Sequence, residues 1–241
     1  MVFFRHSPNH SRFKRKKKDI KVIVIHYTGM QSEVAAINRL VSTKHEVSCH
    51  YLINQKGKLT QMVNDEHIAW HAGKSNWKNF KLLNTNSIGI ELVNPGHQYG
   101  YKNFHKKQIL SLIGLLKKLV PRYNIKKSNL VAHSDIAPLR KKDPGEKFPW
   151  KFLSSVNFGI WHNLDKKKLK VNRGKKITNK EKLVFLKNIK KIGYQIKYGV
   201  KKSIYIKKIN LAFQRRFRPE LISGIIDKEC FLIAKKLVFK L

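Results

Sequence analysis

Three short apolar runs decide what this chain can fold into: "IKVIVIHYT" (Ile20–Thr28), "NSIGIELVN" (Asn86–Asn94) and "SNLVAHSD" (Ser128–Asp135). Each is short, rich in β-branched or aliphatic residues and bounded by polar ones, which reads as a buried strand. The segments between them have a different period. "SEVAAINRLVSTK" (Ser32–Lys44) opens on Ser and Glu and places Val34, Ile37, Leu40 and Val41 on one helical face. "FHKKQILSLIGLLKKLVPRY" (Phe104–Tyr123) carries Ile109, Leu112, Ile113, Leu116 and Leu119 at helical spacing and is expected to stop at Pro121. "VSCHYLINQKGKLTQMV" (Val47–Val63) reads as a hairpin turning at Gly57. Strands alternating with helices give an α/β domain, a central mixed β-sheet flanked by helices.

In such sheets functional side chains gather at strand exits. His26, Glu91 and His133 all stand at or near the ends of these runs. Asp143 follows on the irregular stretch "RKKDPGEKFPW". Two histidines and an aspartate are a set that a catalytic zinc takes, with a fourth position left for water. Each histidine taken singly reads better as a surface or hydrogen-bonded one. With eleven histidines in the chain, chance pairing is easy and spacing alone leaves the site open.

Composition narrows the class only coarsely. A content of 41% hydrophobic and 10% aromatic residues excludes wholesale disorder. The net charge of +38 favours contact with polyanions of any kind, but lysines are spread along the whole chain, so the charge identifies no partner. No base-reading or stacking motif supports a nucleic-acid-binding protein. Cys49 and Cys230 lie far apart and form no metal-type pair or disulfide framework. No apolar run approaches the roughly 18 residues of a membrane span. The first residues, "MVFFRHSPNHSRFKRKKK", lack a secretory h-region, which points to the cytoplasm.

The organisation expected is a basic lead-in over residues 1–19, a main domain over 20–155, a Lys/Asn/Gly-rich linker over 156–178 and a small helical domain over 179–241. Helical stretches are expected near Lys180–Ile192, Lys201–Phe217 and Asp227–Leu241.

Six motifs occur in a fixed order: "VIHYT", "SCHYLI", "AWHAG", "NSIGIEL", "AHSDIAP" and "RKKDPG". Over about Ile20 to Trp150 this series resembles the zinc-dependent N-acetylmuramoyl-L-alanine amidases, which include the peptidoglycan recognition proteins. It is most similar to the Gram-negative branch holding a cytoplasmic recycling amidase and an envelope amidase. The resemblance implies one zinc ion per chain, with His26, His133 and Asp143 as ligands, and assigns Glu91 and Lys141 to catalysis. It also implies peptidoglycan or a muropeptide as partner. Chemically, Glu91 can take a proton from water and pass it to the departing amine, and Lys141 can stabilise an oxyanion.

The resemblance also makes His71 a substrate contact, or else a packed loop histidine. Asn84 and Asn86 are sugar or peptide contacts, or turn residues. His50 is placed with these substrate contacts, supporting the site rather than binding metal, and Cys49 stands where some relatives carry a tyrosine. "LAFQRRFRPELISGIIDKEC" (Leu211–Cys230) is similar to a three-helix peptidoglycan-binding domain, although Ser223 replaces the usual Asp before Gly224. That domain argues for the cell envelope against the missing leader. The expected assembly is a monomer. A non-catalytic recognition module is the main alternative, which the retention of all three ligands with Glu91 and Lys141 disfavours.

Overall fold

The computed structural model describes residues 2–195 and 201–241. Among them the strands are β1 (Val2–Phe4), β2 (His10–Lys14), β3 (Val22–Tyr27), β4 (Tyr51–Ile53), β5 (Leu59–Gln61), β6 (His67–Ala69), β7 (Asn76–Trp77), β8 (Phe80–Lys81), β9 (Ser87–Leu92) and β10 (Leu130–Ala132). The helices are α1 (Glu33–Val41), α2 (Lys106–Arg122), α3 (His133–Ile136), α4 (Trp150–Ser155), α5 (Lys166–Asn172), α6 (Asn179–Ile192), α7 (Lys202–Phe217) and α8 (Lys228–Val238). Six strands form one sheet in the order β1-β5-β4-β9-β3-β10. Neighbours β4, β9, β3 and β10 run parallel, β5 is antiparallel to β4, and β1 is parallel to β5, so the sheet is mixed as expected.

The two-residue period of the central strands sorts their side chains between two cores. Ile23, Ile25, Ile88, Ile90, Leu130 and Ala132 face α2, meeting Ile109, Leu112, Leu116 and Leu119. Val22, Val24 and Val131 face the other way. His26 shares their parity and pairs in register with Glu91, so both project on that second face. Gly89 pairs with Val24 and falls on the same face.

The hairpin forms as expected, with Gly57 at φ +85° and Asn54 Oδ1 accepting from the Lys56 and Lys58 amides. Two helix expectations need correction. Ser32 caps α1 by accepting from the Ala35 amide, but Ala36 and Leu40 are the buried residues and Val34 is exposed. Helix α2 continues one residue past Pro121 before Tyr123 closes it, since a proline in the last turn removes only one hydrogen bond. The third apolar run is strand only to Ala132; His133 opens α3.

Within the basic lead-in, Val2–Phe4 and His10–Lys14 are strands. β1 lies beside β5 at the edge of the main sheet, and β2 pairs with β6 in a separate two-stranded sheet. Within 156–178, where composition suggests a linker, α5 forms and buries Leu169 against α8. The core there runs without a break from Val22, Val24 and Val131 through Trp77 to Phe185, Ile189, Phe213, Phe217 and Ile233. Tyr194 packs edge-on against Trp77, ring centroids 5.1 Å apart. Thr178 with Glu181 and Asp227 cap α6 and α8. Cys49 and Cys230 are both buried and free. Among the described residues no helix is long and apolar enough to cross a membrane.

Candidate metal centre

Three side chains from distant parts of the chain meet on the second face of the sheet. His26 leaves the end of β3, His133 starts α3, and Asp143 lies on the loop that follows; all three are buried. His26 Nδ1 and His133 Nδ1 are 2.9 Å apart, and Asp143 Oδ2 stands 3.1 Å and 3.0 Å from them. Proton sharing satisfies this triangle only in part, because His26 Nδ1 and His133 Nδ1, 2.9 Å apart, cannot both carry hydrogen while each also faces Asp143. A cation between them removes that conflict, and two imidazole nitrogens with one carboxylate oxygen suit zinc. The donor set therefore fits the group that the sequence resemblance implies.

The far side of His26 is held by a relay. His26 Nε2 lies 3.0 Å from His71 Nδ1, and His71 Nε2 lies 3.2 Å from Ser87 Oγ, which donates to the Leu83 carbonyl. Read in that direction, His26 donates from Nε2 and keeps Nδ1 free to bind metal, the ordinary device for fixing a ligand's tautomer. The ring of His71 fits only because residue 89 is glycine: a Cβ there would sit 2.4 Å from it. The loop carrying His71 is fixed by Asn84, whose Oδ1 accepts from the His71 and Ala72 amides. His133 Nε2 is 3.3 Å from the Ala72 carbonyl, so the same loop orients the second histidine.

Glu91 stands next to this triangle, Oε1 4.0 Å from His26 Nδ1, while its buried Oε2 has no hydrogen-bond partner among the described residues. Burial, with the Asp143 charge adding and Lys141 opposing, raises the Glu91 carboxyl to about 8. Burial and the neighbouring His133 lower His26 to about 4, so its imidazole is neutral and able to ligate at pH 7. Burial works against ionisation of Asp143, yet contacts with His133 and His26 hold its carboxyl well below the usual range. Buried among the other histidines, His71 is also depressed and stays neutral.

A cavity of about 750 Å³ opens over the centre, lined by His26, Glu91, His133, Lys141 and Asp143, with Tyr27, His97 and Arg39 on its walls. Of the expected substrate contacts, His71 reaches the cavity but is engaged with His26. Asn84, Asn86 and His50 do not line it. Asn84 is committed to the His71 loop as described. The Asn86 carbonyl takes the Lys21 and Val22 amides at the sheet end. His50 Nδ1 accepts from the Gly89 amide, and burial beside Arg15 holds its ring neutral, so it supports β9 from behind. Cys49 packs against Met62, its thiol raised by burial, and offers no substitute for a tyrosine hydroxyl. Arg140 donates to the Ala72 and Lys74 carbonyls and braces the His71 loop.

Sequence reasoning missed Tyr27 and His97. Tyr27 Oη and His97 Nδ1 are 2.9 Å apart, and His97 Nε2 lies 3.1 Å from Glu146. Tyr101 stacks on the His97 ring. Only the tyrosine in "VIHYT" carried any signal, through its place beside His26.

A mixed sheet ending in a buried His/His/Asp cluster beside a carboxylate defines an α/β protein with a candidate metal centre. Comparison with known proteins makes the class specific. The profile of the family described as N-acetylmuramoyl-L-alanine amidase matches residues 16–146. The N-acetylmuramoyl-L-alanine amidase AmiD of Escherichia coli (strain K12) is 37% identical over 235 residues, covering 92% of this chain and 83% of its own length. The 1,6-anhydro-N-acetylmuramyl-L-alanine amidase AmpD of Haemophilus influenzae is 35% identical, covering 58% of this chain and 84% of its own length. Among solved structures, E. coli AmiD in complex with the substrate anhydro-N-acetylmuramic acid-L-Ala-D-γ-Glu-L-Lys superposes with a TM-score of 0.80 at 35% identity, covering 92% of this chain and 90% of that one. AmpDh3 of Pseudomonas aeruginosa, in complex with anhydromuramic pentapeptide, gives 0.79 at 30% identity, covering 95% and 94%. The chain belongs to the N-acetylmuramoyl-L-alanine amidase family and is an enzyme of that class.

Proposed function

We propose that the chain hydrolyses the amide between N-acetylmuramic acid and the L-alanine of the stem peptide, in muropeptides or peptidoglycan, with one zinc ion held by His26, His133 and Asp143. The observation that carries this reading is the convergence of three donor atoms, each within 3.1 Å of the others, beside a carboxyl with an unpartnered oxygen. When bound, the ion supplies Lewis acidity to a water and to the amide carbonyl. Glu91 faces the same point. It accepts a proton from the attacking water at a carboxylate oxygen and returns it to the departing amine nitrogen. A carboxyl near 8 while metal-free gains ionised character once a cation neutralises the Asp143 charge beside it. Lys141 lines the cavity within electrostatic reach of Glu91 and His26, and its ammonium stabilises the negative oxygen that develops on the carbonyl. His71 acts on the reaction by orienting His26. Residues 179–241 we read as a helical unit that holds wall polymer or its fragments, on the resemblance carried by "LAFQRRF".

The test is chemical. Purified protein is expected to release stem peptide from a soluble anhydro-muropeptide, to lose this on chelation and to regain it with one equivalent of zinc. Mass spectrometry identifies the bond cut. A His133→Ala chain that hydrolyses at the wild-type rate overturns the metal assignment.

A further inference from the structure

Helix α7 carries two consecutive arginines, Arg215 and Arg216, each paired with an acid just downstream of a metal-site residue. Asp135 follows His133 by two residues, and Glu146 follows Asp143 by three. Arg216 Nη1 lies 2.5 Å from Asp135 Oδ2, and both side chains are fully buried. The Arg216 Nη2 group donates to the Leu130 carbonyl at 2.8 Å, so one guanidinium grips both β10 and the turn after it. Its plane is covered by Trp150 and Phe217, ring centroids 4.4 Å and 4.9 Å away. Asp135 is also bonded to the Ala132 amide and to the Tyr194 hydroxyl. Arg215 Nε lies 3.9 Å from Glu146 Oε2, and Glu146 in turn holds His97 on the cavity wall.

Burying an arginine and an aspartate together costs several kcal/mol per ion before the pairing offsets it, and apolar residues of the same volume fill a core at no such cost. A fork gripping a carbonyl and a carboxylate at once supplies direction that apolar packing lacks. We infer that Arg215 and Arg216 are positioning residues for the metal centre: α7 sets the angle at which His133 and Asp143 meet His26. The C-terminal helices are then part of the catalytic apparatus as well as whatever they bind. This rests on the zinc reading above.

The test uses the full chain and measures zinc affinity by competition with a chromogenic chelator, with kcat and KM measured in parallel. Arg216→Lys keeps the charge and loses the fork. It is expected to weaken zinc binding by roughly 10- to 100-fold, the scale of lost outer-layer support, and to lower kcat while KM stays within about twofold. Arg215→Gln is expected to weaken it less, its contact being longer. Should Arg216→Lys not fold, Asp135→Asn removes the same charge pairing from the other side and is expected to match it. Ile233→Val, in the shared core without a polar link to the centre, sets the baseline for a plain packing change. Folded Arg216→Lys or Asp135→Asn protein with wild-type zinc affinity overturns the inference, as does a loss that Ile233→Val reproduces. Wild-type protein that binds no zinc overturns the underlying reading instead.

Discussion

At the scale of the residue, Glu91 and Gly89 show how two positions on one strand divide the work. Glu91→Gln keeps the shape and removes the base, so turnover is expected to fall by about 10²- to 10⁴-fold with zinc content unchanged; zinc per chain is read by atomic absorption. The raised carboxyl of Glu91 also makes a metal-free prediction. In the native chain it holds a proton between roughly pH 4.5 and 8 that the unfolded chain has released. The stability this contributes is complete below that window and lost as pH rises through about 8. In urea unfolding of the chelated proteins, wild type is expected to fall progressively behind Glu91→Gln as pH rises, because the amide stays neutral while the buried carboxyl must ionise; a difference flat from pH 5 to 8.5 counts against the assignment. Gly89→Ala drives a methyl into the His71 ring. It is expected to cost about 1–3 kcal/mol by overpacking and to weaken zinc binding, because the ring displaced is the one that orients His26.

At the scale of the element, the His71 loop has no regular structure of its own and depends on Asn84. Asn84→Ala strands two amide donors, which costs about 1–3 kcal/mol. Hydrogen exchange of the His71 and Ala72 amides is expected to rise sharply in that variant while α2 stays protected. The central strands were legible as continuous apolar runs buried on both faces, and the four long helices by the one face that each buries. That Glu91 stands beside His26, His133 and Asp143 was legible only through six motifs in order. His26 and Asp143 are 117 residues apart, and no local spacing encodes a meeting set by parallel strand register. Much of what stayed hidden follows one pattern: β2, α5 and the Arg216 pair are rich in charged residues, and charge reads as solvent-facing when only the sequence is considered. Arg216, 1% exposed, is the sharpest case.

At the scale of the whole molecule, one core joins the sheet to the C-terminal helices, so the two halves are expected to unfold together. A chain ending at residue 162 would expose Val24, Val131, Ile136 and Trp77 and leave Asp135 unpaired in the interior. It is expected to aggregate; a monomeric fragment with a single cooperative transition and wild-type zinc affinity would contradict the shared core. On the zinc reading proposed above, removing the ion from the intact chain is expected to lower stability by about 4 kcal/mol where free zinc stood at a thousand times its Kd, read as a shift in the urea midpoint. The two free thiols turn this architecture into its own clock. Cys49 is sealed beside the sheet and Cys230 between the C-terminal helices, so neither meets a labelling reagent until its half opens. Under native conditions a pulse of thiol reagent should modify both at one rate, and that rate times how it changes with zinc.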